Sequence, residues 1–331
     1  MKFNNQRRIK DFAGQASIFI QFALTLCVSK VMAMFPDLVS IWLGSCGFSR
    51  CVKRSKSVSF RSKCYRTSLR INVRGDYLIE REAASSCPYP NNPFYGIQKL
   101  CLGSFDAIDV GANVGTFSVA MAAIGARKVY ALEPGPVIDR LRSNIKLNNL
   151  EGVVVESRLG LSNQSGSLKW AEDINNPGNA YLLNSVDSEN FQEESFRFLS
   201  DQYLEEVPVV TLDEFAESRG IANVELIKID VEGMEWNVVD GARRIITTCR
   251  PIVVAETHRA SSDFAGWDCV TPMFNFFVAN GYRTFSLTAR GEIEEFIYPN
   301  FREDTFFLPS EKIESLKGKS RAMRLARFLG A

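Results

Sequence analysis

Apolar and polar positions along the chain fall into blocks of two alternating kinds from Ser104 onward. Phe105-Asp-Ala-Ile-Asp-Val110 reads as a buried strand. Phe117, Ala120, Met121 and Ile124 follow at helical spacing. Lys128 to Leu132 is a second strand, closed by Glu133-Pro134, and Val137, Ile138, Leu141 and Ile145 mark a second helix. Val153 to Val155, Glu225 to Ile229 and Pro251 to Ala255 supply three more strands. Met234, Val238, Ala242, Ile245 and Ile246 form the helix between the last two of these. Tyr282 to Leu287 and Asp304 to Leu308 close the series. Strand and helix in this alternation predict an α/β domain, a mainly parallel sheet with helices on both faces.

The pattern lapses in two places. Between Ser165 and Pro208 the chain is polar, and residues 185–206 carry seven acids and one base. This stretch reads as an insertion, a hairpin plus loop, set where ligand loops can gather. Thr211-Leu-Asp-Glu214 after it offers a helix capping box. Before residue 104, residues 12–44 are strongly apolar, with Gln21 and Lys30 interrupting and Pro36 breaking the run. That segment reads as a helix packed on the body or lying in a membrane interface, as an anchor, or as a signal. Residues 56–80 alternate in places and suggest a small β element. The resulting division is an N-terminal apolar and basic segment over 1–50, a small β extension over 51–100, the main domain over 101–310 with an insertion at 165–208, and a basic tail over 311–331.

Composition narrows the classes. Of 331 residues, 46% are hydrophobic and 23% charged, an ordinary globular balance with ample material for a core. The net charge of +1 hides an asymmetry: residues 1–70 hold 13 Lys and Arg against Asp11 and Asp37 alone. The remainder is net acidic, which argues against a nucleic-acid partner. The eight cysteines include no CxxC pair, which argues against a zinc ribbon or a thioredoxin-type site. His258 is the single histidine, so any site needing two is excluded.

Four motifs sit at the carboxyl ends of strands, where open α/β sheets bind ligands. Asp109-Val-Gly-Ala-Asn-Val-Gly115 ends the first strand and opens a helix. Its glycines let backbone approach a ligand, but the spacing is not the dinucleotide fingerprint, and Asp109 suits a ligand carrying an amino group. Glu133 ends the second strand, placed to take two ribose hydroxyls. Both features are also compatible with a nicotinamide site. Lys228-Ile-Asp230-Val-Glu232-Gly-Met-Glu235 packs three carboxylates into six residues, and mutual repulsion there raises proton affinity. Ala255-Glu-Thr-His258 places Glu256 and His258 on one face at the end of the fifth strand.

Taken together, DVGANVGTFSVAMA, VYALEPGPVIDRLRSNIKLNN, VTLDEF, ELIKIDVEGMEW and PIVVAETH resemble the FkbM family of methyltransferases, over about residues 75–310. The resemblance implies a class I, Rossmann-like methyltransferase fold: a seven-stranded sheet whose last strand is antiparallel. It implies S-adenosylmethionine as cofactor and O-methylation of a hydroxyl on a glycan or natural-product acceptor. By position, Asp109, Gly111, Asn113 and Gly115 correspond to the methionine-side loop and Glu133 to the ribose carboxylate. Ser157 and Arg158 fall where adenine is lined. His258, Asp230 and Glu235 are the catalytic candidates, His258 first as general base. A variant has Asp230, Glu256 and His258 holding a divalent cation that acidifies the hydroxyl. The expected location is cytoplasmic, with membrane contact through residues 12–44. A second class is a catalytically silent methyltransferase-fold scaffold at a membrane.

Overall fold

The computed structural model describes residues 58–62, 67–71, 93–101, 103–173, 176–183, 202–257, 268–288, 292–298 and 304–313. The apolar run over 12–44, the basic tail beyond residue 313 and His258 lie outside the described residues.

A short antiparallel hairpin comes first, β1 (Val58–Ser62) and β2 (Thr67–Ile71). Then come α1 (Pro93–Leu100), β3 (Phe105–Val110), α2 (Thr116–Ala123), β4 (Ala126–Leu132), α3 (Ile138–Leu147) and β5 (Val154–Ser157). Next are β6 (Gly160–Leu161), β7 (Gly166–Asp173), β8 (Asn176–Leu183), β9 (Gln202–Val210) and α4 (Leu212–Ser218). β10 (Leu226–Ile229), α5 (Glu235–Asp240), α6 (Arg243–Cys249), β11 (Ile252–Glu256), α7 (Val270–Ala279), β12 (Tyr282–Leu287), β13 (Ile293–Glu295) and β14 (Asp304–Pro309) complete the domain.

Among the described residues the main sheet has eight strands, in the order β13-β12-β14-β11-β10-β3-β4-β5. β5, β4, β3, β10 and β11 are parallel, and β14 inserts antiparallel between β11 and β12. The seven expected strands are all present with the last one antiparallel. The correction is an eighth, β13, hydrogen-bonded to the outer edge of β12.

Strand side chains alternate between two cores, as a period of two requires. Ala107, Val129, Leu226, Val254 and Phe306 pack under α1, α2 and α3 with Phe94, Ile97, Met121 and Leu141. Their neighbours Ile108, Ile227, Val253 and Phe307 face α4 to α7, with Phe215, Val238, Ile246, Phe274 and Phe277. Phe277 stacks on Phe307 with ring centroids 4.0 Å apart.

The stretch between β5 and α4 builds a separate four-stranded sheet, β6-β9-β7-β8. It has its own small core of Trp170, Val207, Val209 and Met234. The Thr211–Glu214 capping box forms as expected: Thr211 Oγ1 accepts from the Glu214 amide at 3.1 Å, and Glu214 accepts from the Thr211 amide at 3.2 Å.

Candidate active site

β3, β4, β10 and β11 are neighbours, so their carboxyl ends bring four sequence-distant loops together. The β3 loop needs unusual backbone: Gly111, Asn113 and Gly115 all have positive φ, at 75°, 50° and 88°. A Cβ on Gly115 would stand 2.4 Å from Leu141 Cδ1. Buried Asn144 on α3 donates to the Val114 carbonyl at 2.7 Å and pins the loop to the next helix.

Asp109 ends β3 fully buried. Its Oδ2 accepts from Ser118 Oγ at 2.5 Å, while Oδ1 has no hydrogen-bond partner. Burial pushes its carboxyl above the ordinary range, and the Lys228 ammonium and Ser118 pull it back. Asn113 Oδ1 and Thr116 Oγ1 are likewise buried without partners. Unsatisfied buried polar atoms are costly, and three of them fall within the eight residues from Asp109 to Thr116.

Glu133 is buried at the end of β4. It accepts from the Asn113 amide at 2.9 Å through Oε2 and from the Gly135 amide at 2.8 Å through Oε1. One carboxylate therefore sets both loops. Ser157 follows on β5, where its carbonyl accepts from the Glu133 amide at 3.1 Å. Arg158 donates to the Pro134 carbonyl at 3.2 Å and pairs with Glu205 of β9. Arg158 thus braces the Glu133 loop against the inserted sheet.

The β10 loop gathers acid. Asp230 is 41% exposed in its side chain and accepts from the Lys228 ammonium at 2.9 Å. Glu232 stands at φ 53°, next to Gly233 at φ 100°. Its carboxyl is raised, by loss of solvation and then by Asp230 and Glu235. Glu256 ends β11, with Oε2 buried and unpartnered. Its carboxyl is pushed up to about 9 by burial, then by Asp230, Glu232, Glu235 and Asp304.

Glu235, a catalytic candidate from the sequence, lies inside the same loop. It is 1% exposed, and its carboxylate accepts from the amides of Val231 and Gly233, each at 3.1 Å. Burial raises it to about 7 while those amides oppose the rise. These hydrogen bonds tie the carboxylate to the backbone of its own loop.

Among the described residues no group of three or more His, Cys, Asp or Glu side chains is arranged to hold a metal ion. Asp230 and Glu256 are described, and His258, the third member of the suggested cation set, is not.

Sequence reasoning assigned no role to Lys228, Ser118, Asn144 or Trp170. Lys228 carried a signal: two residues before Asp230 on a strand, it must share Asp230's face. A Cβ on Gly135 would stand 2.2 Å from the Trp170 ring, so the inserted sheet seats directly on the Glu133 loop.

A mainly parallel sheet covered on both faces, with antiparallel β14 third from the edge, antiparallel β13 at the edge itself and a glycine loop after β3, defines a class I methyltransferase-type α/β domain. The sequence model of the methyltransferase FkbM domain matches residues 109–284, and the chain belongs to that family. It is similar to methyltransferase sdnD of Sordaria araneosa, 30% identical over 175 residues, covering 46% of this chain and 61% of that one. It is also similar to the hexuronic acid methyltransferase AglP of Haloferax volcanii, 28% identical over 151 residues, covering 45% and 54%. The chain covers less than two thirds of the length of either relative. The crystal structure of methyltransferase FkbM from Methylobacillus flagellatus aligns at a TM-score of 0.43 and 14% identity, over 75% of this chain and 56% of that one. Among the described residues no helix is long and apolar enough to cross a membrane.

Proposed function

We propose that the chain is an S-adenosylmethionine-dependent methyltransferase acting on a hydroxyl oxygen of a glycan or natural-product acceptor. The observation that carries this reading is the buried, unpartnered Oδ1 of Asp109 beside the positive-φ loop, with Glu133 one strand away. An amino group satisfies the first carboxylate and a ribose diol the second, and both belong to one ligand. Asp109, Asn113 and Thr116 would hold its methionine end, Glu133 its ribose, and Ser157 with Arg158 would border its adenine. Bound there, S-adenosylmethionine supplies an electrophilic methyl on a sulfonium.

The protein's own residues supply the rest. Positioning carries much of the rate in such a displacement, and the acceptor hydroxyl must lose its proton. Asp230, half-open at the strand ends, orients the hydroxyl by accepting its hydrogen bond. His258, two residues beyond Glu256, takes the proton in its neutral form, with Asp230 the alternative base. Glu235 keeps the loop in shape. The hexuronic acid in the name of the Haloferax relative supports a sugar acceptor for this chain.

Calorimetry should show S-adenosylmethionine binding at micromolar affinity, about 8 kcal/mol. Tight binding of a nicotinamide dinucleotide with none of S-adenosylmethionine overturns the reading. With a uronic-acid glycan, transferred methyl should resist alkali as an ether does; alkali-labile methyl would show a carboxyl acceptor instead. His258→Ala should lower turnover about 10²–10⁴-fold with cofactor affinity kept, and chelator should change nothing.

A further inference from the structure

Lys228 is a lysine inside a sheet. Its side chain is 6% exposed, on the central strand β10. The parallel register sets Lys228 directly beside Asp109 of β3. Its ammonium donates to Asp230 Oδ2 at 2.9 Å, lies 3.9 Å from Asp109 Oδ1, and stands 4.4 Å from the centre of the Phe117 ring on α2. A buried ammonium is tolerated only when its neighbours compensate it. Here one cation faces two carboxylates, so the trio carries a net charge of −1. At 3.9 Å the ammonium is near enough to stabilise the Asp109 charge and too far to occupy Oδ1 by a hydrogen bond.

We propose that Lys228 is a positioning residue joining the two halves of the site: it keeps the Asp109 carboxylate charged but open to a cationic amine, and it fixes Asp230 toward the acceptor. The net −1 of the trio is the complement of S-adenosylmethionine, whose ammonium and sulfonium outnumber its one carboxylate. One lysine thereby serves both substrates. This inference rests on Asp109 binding the cofactor's amino group.

The sign of the charge effect follows from the neighbours of Asp109. Burial and Asp230 favour its protonated form; Lys228 and the Ser118 hydroxyl favour its charged form. An amine ligand needs the charged form, so affinity must fall on the acid side, and the position of that limb reports the cation. The probe is S-adenosylhomocysteine, which keeps the amino group, titrated into the full chain by calorimetry between pH 5 and 8.5. Lys228→Met and Lys228→Gln should each move the acid limb upward by about 1–3 pH units, the range for losing an opposite charge at this distance. Lys228→Arg, which keeps the charge, should leave the limb in place. Asp230→Asn should move it downward, since it removes a like charge and leaves the ammonium to Asp109, with Asp304 of β14 the further carboxylate acting on it. A loss of packing would give no such opposition of sign. Coincident limbs for the wild type, Met and Gln proteins overturn the role of Lys228. So does an upward shift in Asp230→Asn, which remains decisive if the neutral Lys228 variants do not fold. Failure of the wild type to bind S-adenosylhomocysteine at any pH overturns the cofactor reading itself.

Discussion

Gly111 lies so close to Asp230 that a Cβ built on it would stand 1.8 Å from the Asp230 carbonyl oxygen. The glycine directly follows β3 and the aspartate directly follows β10, so the two loops touch backbone to backbone. The contact is extended by the Asp230 amide, which donates to the Val110 carbonyl at 3.1 Å. With φ at 75°, Gly111 also occupies a conformation unfavourable to any other residue. Gly111→Ala should therefore cost about 2 kcal/mol or more, from strain and forced separation of the loops. Cofactor affinity should fall at least about tenfold, a further 1.4 kcal/mol. Thermal melting and calorimetry check the two effects; an alanine variant with wild-type affinity would show that the loop contact is dispensable.

A second glycine reports on the inserted sheet. Gly135→Ala would drive a methyl into the Trp170 ring, which is 2% exposed and has little room to move. We expect a loss of about 1–3 kcal/mol, the usual range for overpacking. Trp170→Ala alone should cost about 3–5 kcal/mol through the cavity it leaves. In the double variant the costs should not add, because the alanine methyl enters the vacated space. Denaturant melts of the four proteins measure this, and strict additivity would mean that the two residues do not meet.

The acidic cluster fixes a direction for stability against pH. Glu235, raised to about 7, and Glu256, raised to about 9, bind protons more tightly when folded than their ordinary value of 4.5 allows unfolded. Where the native state holds more protons, stability falls as pH rises. Their contribution is complete below about 4.5 and is lost progressively up to about 9. Glu256→Gln should raise the melting temperature at pH 8 and flatten its fall between pH 5 and 9. A melting profile with the same slope as wild type would remove Glu256 from the cause.

Thr211→Ala serves as a control remote from the ligand loops. It breaks the capping box of α4 and should lower stability by about 0.5–2 kcal/mol. Cofactor affinity and turnover should be unchanged at temperatures below the melt.

Much of the domain was legible because strong local patterns coincide with strand ends. Phe105–Val110 and Tyr282–Leu287 match their expected limits, and the remaining expected strands agree within two residues. Asp109 and Glu133 could be nominated because parallel strands must deliver their carboxyl ends to one edge of the sheet. β13 was not legible: three residues are too short to show a period. β7, β8 and β9 were legible only as an insertion, since their polar faces blur the alternation.

The sequence by itself determined the alternation of strand and helix, the family, and the residue types at each strand end, because these rest on short-range periodicity and contiguous motifs. Only the tertiary structure decided which of those residues face one another. Lys228 meets Asp109 through a strand register, across 119 residues of chain. Trp170 meets Gly135 because a separate sheet folds onto the Glu133 loop. Glu235, equal to Asp230 as an acid in the sequence, is turned inward by the amides of Val231 and Gly233. Register, close approach and burial are set by packing across the whole domain, and no local pattern of side chains encodes them.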